Sequence, residues 1–377
     1  MIEDVRNRID KIDDELARLF GERIALAEEV AALKKERGLP ILDTAREREI
    51  VSRLTEGMPD ALAGCTKTLF ATVFDLSRSR QAAALGAPSK AAAEMRAALE
   101  STPALFPKSA VVACQGAEGA NSAAACERLF ERPSIMYFNT FEGVFGAVDK
   151  GLCRYGILPI ENSLHGSVTD VYDLMKKHRF YIVQSARMKI SHVLLGQPGA
   201  KLEGIRKIYS HEQALGQCSE FLKTLSVQTE TVENTALAAK LVSQSGAPDE
   251  AAISSRQCAE LYSLAPLSED VQNSDGNYTK FICISKSLEI YPGARKASLM
   301  MAVPHRPGAL YRLIAKFAAL GINMTKLESR VMPSKDFEAM FFFDFDVSVY
   351  DDAAFSLFSE LEAGNERFVF LGCYSES

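Results

Sequence analysis

The opening stretch constrains this chain more than any other. From Ile2 to Arg37 Gly21 is the one helix breaker, and Gly38 followed by Pro40 supplies a stop signal. Apolar side chains recur at Ile2, Val5, Ile9, Ile12, Leu16 and Leu19, then at Leu26, Val30 and Leu33, in steps of three and four that mark the seam of a packed helix. Such a helix is about 54 Å long. That is more than a domain of this size covers, so the pattern predicts an intertwined helical dimer. The seam position between Leu19 and Leu26 is Arg23, a cation where packing asks for an apolar side chain. At about 100° per residue, Lys34 points within about 20° of Arg23 and lies about 16 Å further along. The two cations therefore face one side. Arg6 is about 100° from that direction, so it serves only a pocket that a partner chain helps to build.

The next two helices repeat this intrusion. They are predicted over Thr44–Thr55 and Pro59–Leu85. Phe70 and Phe74 set an inner stripe whose next members, at steps of three and four, are Ser77 and Gln81. Asp43, Thr44, Arg46 and Glu47 open the second helix, where Thr44 and Glu47 form a capping box; capping alone explains Asp43 and Glu47 when they are taken singly. Polar and charged groups thus collect inside an all-α domain over residues 1–88.

Gly86 to Ser89, Pro103 and Pro107 then mark a linker over residues 89–108 with a short helix inside it. From Ser109, short β-rich runs alternate with helical stretches: Ala110–Ala113, Ile135–Phe138, Tyr155–Leu158, Phe180–Leu195, Lys207–Tyr209, Ala251–Ser254 and Phe281–Ser285. This predicts an α/β domain over 109–290, its sheet mostly parallel, in two lobes with a cleft. Four runs stand out. Gly116–Ser122 opens a helix whose N-terminus can hold a carboxylate, although its glycines do not follow G-x-G-x-x-G. Pro159–Ser163 closes a strand, where α/β sheets place ligand groups. Tyr209–Cys218, with His211 and Gln217, closes another, and Asn277–Phe281 leads into the last strand. Residues 296–377 read strand, helix, strand, strand, helix, strand, the α+β ferredoxin-like order.

Composition removes several classes. A length of 377 residues predicts two or three domains, and 47% hydrophobic with 24% charged residues is globular usage. A net charge of −6 lacks the basic excess of a dedicated nucleic-acid binder. No apolar run approaches the roughly 18 residues of a membrane span, and Met1–Asp4 has neither a basic nor an apolar leader pattern, so a cytoplasmic location is expected. Eight scattered Cys and five His fall in no metal-ligand spacing, which predicts buried free thiols and no metal.

Taken together, Arg6, Arg23, Lys34, Asp43, Arg46, Glu47, Ser77 and Gln81 resemble, position by position, the pocket of the all-helical chorismate mutases. The resemblance implies that Arg23 and a partner's Arg6 clamp carboxylates of chorismate. It implies that Lys34 and Gln81 flank the ether oxygen, that Glu47 holds the ring hydroxyl, and that Asp43, Arg46 and Ser77 complete the pocket. Fixed cations stabilise charge growing on the ether oxygen, and no cofactor is required. The four runs after Ser109 resemble the prephenate dehydratases, over Ala110–Ser287. That implies a two-lobed, periplasmic-binding-protein-like domain. Thr279 would hydrogen-bond the departing hydroxyl, in a cleft lined by Ser122, Glu161, Asn162, Ser163, His211, Gln217, Lys280 and Phe281. Lys280 stands where that family carries arginine, and Asn121 where it carries tyrosine. Gly308-Ala309-Leu310 and Glu328-Ser329-Arg330 resemble the ACT regulatory domain of those dehydratases, with Val331 in place of its proline. The resemblance implies that L-phenylalanine binds at a dimer interface, with Asn323 nearby.

These readings converge on a cofactor-free homo-oligomer, dimer or tetramer, without nucleic-acid or membrane partners. It is expected to convert chorismate to prephenate and prephenate to phenylpyruvate under inhibition by L-phenylalanine. Two rivals remain: a non-catalytic sensor of aromatic metabolites, which binds without turnover, and a monofunctional dehydratase with an inactive helical domain. The second should have lost some of the eight pocket residues, and all eight are present.

Overall fold

The breaker-free stretch is one helix, α1 (Ile2–Glu36), followed by α2 (Thr44–Thr55) and α3 (Asp60–Leu85), in a computed structural model that describes residues 2–85, 90–305, 307–331, 339–363 and 367–377. Asp43 caps α2 by accepting from the Arg46 amide at 3.0 Å. Both α1 and α2 pack on α3. Of α1, Ala27 and Ala31 are buried, whereas its seam is not: Ile12 is 59% and Leu16 55% exposed, and Ile2, Val5, Ile9, Leu19, Leu26, Val30 and Leu33 are exposed as well. The expected linker at Gly86–Ser89 lies outside the described residues, and α4 (Lys90–Ser101) follows it.

The chain forms two units. One comprises Met1–Glu94, Met300–Phe342 and Tyr350–Val369, and the other Met95–Leu299, Phe343–Val349 and Phe370–Ser377. The second unit has two lobes. Its first lobe is built by β1 (Val111–Gln115), α5 (Asn121–Leu129), β2 (Ser134–Phe138), α6 (Phe141–Asp149), β3 (Tyr155–Asn162), β4 (Gly166–Ser167), α7 (Thr169–Met175) and β5 (Tyr181–Lys189). The chain then crosses over. The second lobe contains β6 (Val193–Gly196), β7 (Lys207–Ser210), α8 (Glu212–Gln217), α9 (Ser219–Lys223), β8 (Gln228–Thr231), α10 (Thr235–Ser245), β9 (Glu250–Ser254), α11 (Gln257–Leu261) and β10 (Ala265–Ser268). It returns through β11 (Tyr278–Ser285).

Strand order is β5-β11-β3-β1-β2 in the first lobe and β10-β6-β9-β7-β8 in the second. A mostly parallel sheet was the expectation, and both sheets are mixed. β1 runs parallel to β2 and β3, yet β11 is antiparallel to both β3 and β5, because the chain that leaves through β5 comes back in the opposite sense. Phe180–Leu195 is likewise not one strand. It breaks at Ile190–His192, where the backbone passes between lobes. Val112, Tyr155, Ile157 and Phe281 centre the first core; Leu195, Ala239 and Val242 centre one layer of the second lobe, and Leu194, Ile208 and Ile253 the other.

The C-terminal segment contributes β12 (Lys296–Val303), α12 (Ala309–Ala319), β13 (Asn323–Val331), β14 (Ala339–Asp346), α13 (Asp352–Ala363) and β15 (Phe368–Glu376), in the strand order β13-β14-β12-β15. Read as one module in the sequence, it is divided between the two units. Within the second unit the end of β15 pairs in parallel with β5, Ser375 opposite Gln184 and Glu376 opposite Ser185. Gly372, at φ +139°, makes the approach possible, since a Cβ there would stand 2.2 Å from the Ile182 carbonyl oxygen. No helix among the described residues is long and apolar enough to cross a membrane.

Candidate active sites

In the first unit a cavity of about 380 Å³ opens between α1, α2 and α3, lined by Arg23, Lys34, Asp43, Arg46, Glu47, Ser77 and Gln81 among apolar Leu26, Val30 and Phe74. Seven of the eight expected residues therefore meet. Arg6 is exposed and lies outside this lining. Arg23 donates to Ser77 Oγ, which itself donates to the Val73 carbonyl at 2.7 Å, and its guanidinium stands 5.5 Å from the centre of the Phe74 ring. Burial pulls the Arg23 pKa below its ordinary value, and the charge of Glu47 opposes that pull. Lys34 spends one ammonium hydrogen on the Ile41 carbonyl at 2.6 Å and keeps two. Gln81 is buried, and its Oε1 has no partner among the described residues. An orphan of this kind costs about 1–3 kcal/mol until a guest or a rotated amide satisfies it.

The sequence reading missed Arg78, which also lines the cavity. It donates to Glu47 and to Asp75, and Arg312 of α12 reaches Asp75 at 3.4 Å. The Asp75–Arg78 spacing of three on one helix was the available signal.

In the second unit a cavity of about 520 Å³ lies between the lobes. Of the nine residues expected there, Ser122, Asn162, His211, Gln217, Thr279 and Phe281 line it. So does Asn121. A directed hydrogen-bond chain runs across the cleft. Asn162 Oδ1 accepts from the amides of Leu164 (3.0 Å) and His165 (3.1 Å), which fixes the amide orientation. Its Nδ2 therefore donates, to Thr279 Oγ1 at 2.9 Å and to Asn277 Oδ1 at 2.8 Å. Asn277 Nδ2 then donates to Gln217 Oε1 at 3.0 Å, which leaves His192 Nε2, 2.7 Å from that same oxygen, as a donor too. With an acceptor site on its oxygen already used, the Thr279 O–H is free to point at a guest. Burial holds the His192 pKa below its ordinary value, against the hydrogen bond to Gln217. His211 caps α8, its Nδ1 accepting from the Gln213 amide at 3.2 Å.

Three expected lining residues lie elsewhere. Ser163 Oγ bridges the Gly276 carbonyl (2.6 Å) and the Tyr278 amide (2.8 Å), outside the cavity. Glu161 and Lys280 sit opposite each other on β3 and β11, one residue away from Asn162 and Thr279, so strand alternation turns them to the far face of the sheet. Lys280 donates to Asp344 at 3.1 Å instead of facing a substrate carboxylate. His192 and Asn277 went unrecognised as lining residues: one lies in the inter-lobe crossing that reads as strand, and the other precedes its strand by one residue.

A third cavity, about 410 Å³, lies in the first unit beside the turn before α12 and includes Ala309 and Leu310. Gly308 makes that turn at φ +75°. Asn323, Glu328, Ser329 and Arg330, on β13, lie outside this cavity.

Two known families match successive parts of the chain. The prephenate dehydratase family matches residues 112–289, and the type II chorismate mutases match residues 5–82. An arogenate dehydratase/prephenate dehydratase of Arabidopsis thaliana is 35% identical over 279 residues, covering 70% of this chain and 71% of that protein. A bifunctional chorismate mutase/prephenate dehydratase of Aquifex aeolicus is 29% identical over 381 residues, covering 100% of this chain and 98% of that protein. The structure of a prephenate dehydratase from Arthrobacter aurescens in complex with L-Phe gives a TM-score of 0.64 at 26% identity, covering 70% of this chain and 90% of that one. A helical pocket rich in cations precedes a two-lobed cleft with a hydroxyl donor, and the chain belongs to the prephenate dehydratase family, with a type II chorismate mutase domain ahead of the dehydratase.

Proposed function

We propose that the helical cavity rearranges chorismate to prephenate and that the inter-lobe cleft then converts prephenate to phenylpyruvate. In the first step Arg23 binds a carboxylate while the two remaining hydrogens of Lys34 and the Gln81 amide meet the ether oxygen as its C–O bond breaks. Glu47, braced by Arg78, receives the ring hydroxyl. A second copy of this chain completes the pocket: it covers the exposed seam of α1 and brings the partner subunit's Arg6 to the carboxylate that Arg23 leaves unclamped.

In the second step the first turn of α5, opening at Asn121 and Ser122, takes the side-chain carboxylate. The ring carboxylate leaves as carbon dioxide, its bonding electrons enter the ring, and the hydroxide expelled opposite, stabilised by a hydrogen bond from the Thr279 O–H, takes a proton from solvent and departs as water. Pro159, Phe141, Ile190 and Phe281 surround the ring with apolar wall, which weakens solvation of the carboxylate that is lost. L-Phenylalanine binds beside Gly308, its carboxylate at the start of α12, and inhibits.

The convergence of seven polar side chains on one helical cavity carries this reading. Purified protein supplied with chorismate should form prephenate and then phenylpyruvate, more slowly when L-phenylalanine is present. Binding of chorismate without product would support the sensor instead. Dehydration of supplied prephenate with no mutase turnover would support an inactive helical domain.

A further inference from the structure

We propose that Lys280 is a positioning residue for dehydration, tying the C-terminal strands β14 and β15 to the strand that carries Thr279. The idea rests on Thr279 as the donor to the departing hydroxyl. Consecutive residues of a strand face opposite sides, so Thr279 enters the cleft while Lys280 passes behind the sheet. There its ammonium lies 3.1 Å from Asp344 Oδ2 on β14 and 3.8 Å from Glu376 Oε2 on β15, and 5.9 Å from the centre of the Tyr374 ring. Glu161 faces Lys280 in the β3–β11 register.

The cluster is held on its far side as well. Ser298 donates to the other Asp344 oxygen at 2.6 Å, and Lys296 shares Glu376 at 3.7 Å. Side-chain exposures of 15% for Lys280 and 20% for Asp344 keep bulk salt from screening the pair. Burial alone would lower the lysine pKa, but Asp344, Glu376 and Glu161 together raise it above the ordinary value, so the cation stays charged. Position matters here because the β3–β11 ladder slips directly after Lys280: Lys280 pairs with Glu161, but Phe281 pairs with Pro159. A bulge re-aims the side chains beside it. On the β5 side the ladder is regular from Tyr278 to Cys283, so the slip loosens only the β3 side, and the ion pair behind the sheet adds its constraint there, next to the residue that enters the cleft. Carboxylates carried by three strands, β14, β15 and β3, suit a compact ammonium better than a planar fork, which accounts for lysine at this position.

The test uses the full chain with prephenate as substrate and chorismate turnover as an internal control. Lys280→Met should lower kcat for dehydration by about tenfold to a hundredfold with KM nearly unchanged. Lys280→Arg should keep most of the turnover. Asp344→Asn should act in the same direction as Lys280→Met, and the double variant should be no slower than Lys280→Met alone. Wild-type kcat in Lys280→Met, a rise confined to KM, or losses that multiply in the double variant would overturn the proposal. Should Lys280→Met fail to fold, Asp344→Asn decides by the same kcat criterion. Wild-type dehydration by Thr279→Ala would instead overturn the donor assignment beneath it.

Discussion

Replacing Arg23 by alanine tests the mutase pocket most sharply, because activity and stability should move independently. A guanidinium holding a carboxylate through two charge-assisted hydrogen bonds contributes about 1.5–3 kcal/mol per bond. Losing that grip on a carboxylate, about 3–6 kcal/mol for the two bonds, should lower mutase kcat/KM by about 10²- to 10⁴-fold. The fold should barely notice. Ser77, which accepts from Arg23, keeps its own 2.7 Å bond to the Val73 carbonyl, and the half-buried cation is disfavoured by desolvation. The change in unfolding free energy should therefore stay within about 1 kcal/mol. Chorismate consumption and phenylpyruvate formation from supplied prephenate are followed on one preparation, with thermal unfolding alongside. Equal loss of both activities, or a mutase loss under about tenfold, would refute the assignment of Arg23 to a separate pocket.

The other predictions concern the second unit. Thr279→Ala should reduce dehydration of prephenate by about a hundredfold or more while chorismate is still rearranged, and an unchanged rate would remove Thr279 from the mechanism. His192, whose folded pKa lies below the ordinary 6.5, binds a proton less readily than in the unfolded chain, so its contribution to stability is complete above 6.5 and is lost as pH falls through it. Thermal midpoints taken about one pH unit either side of that value should drop towards acid, and drop less in His192→Asn; parallel declines would contradict the burial argument. Gly372→Val should cost about 1–3 kcal/mol or more in urea unfolding, since φ is +139° and a Cβ would meet the Ile182 carbonyl oxygen at 2.2 Å. An unchanged midpoint would show that β15 does not need this close approach to β5.

Elements governed by local rules were legible. The three N-terminal helices and the strand–helix order of the last segment follow from periodicity and breakers, which act over a few residues. What escaped depends on long-range chain paths. The antiparallel setting of β11 is decided by the return from the second lobe, about 90 residues after β5, and no local pattern encodes direction. β8, Gln228–Thr231, is polar and fully exposed and so lacks the apolar signature of a strand. The same limit governed the candidate sites. Motif runs located the strand ends correctly, but adjacent members such as Asn162 and Glu161, or Thr279 and Lys280, are separated by the pleat, which a run of letters does not display. His192 escaped because Ile190, Ser191 and His192 fall inside the run Phe180–Leu195, which reads as one continuous strand, so nothing marked a crossing between lobes there.

The two pockets also keep their polar groups in different ways, and this sets where mutations should be tolerated. In the helical cavity Gln81 Oε1 has no partner among the described residues and Arg23 is held against desolvation, so ligand recognition there is stored as local instability. In the cleft the corresponding groups are joined: Asn162, Asn277, Gln217 and His192 each use the next, starting from two backbone amides. Removing a member of that chain leaves a neighbour buried without its bond, at about 1–3 kcal/mol. Apolar replacement of Gln81 should therefore leave the fold at least as stable while mutase turnover falls, whereas apolar replacement of Asn277 should cost stability and dehydration together. The difference follows from what each reaction needs: the first requires polar groups left uncommitted until an anion arrives, with Lys34 donating and Gln81 turning its amide N–H to the guest, and the second requires one hydroxyl whose hydrogen points in a single direction.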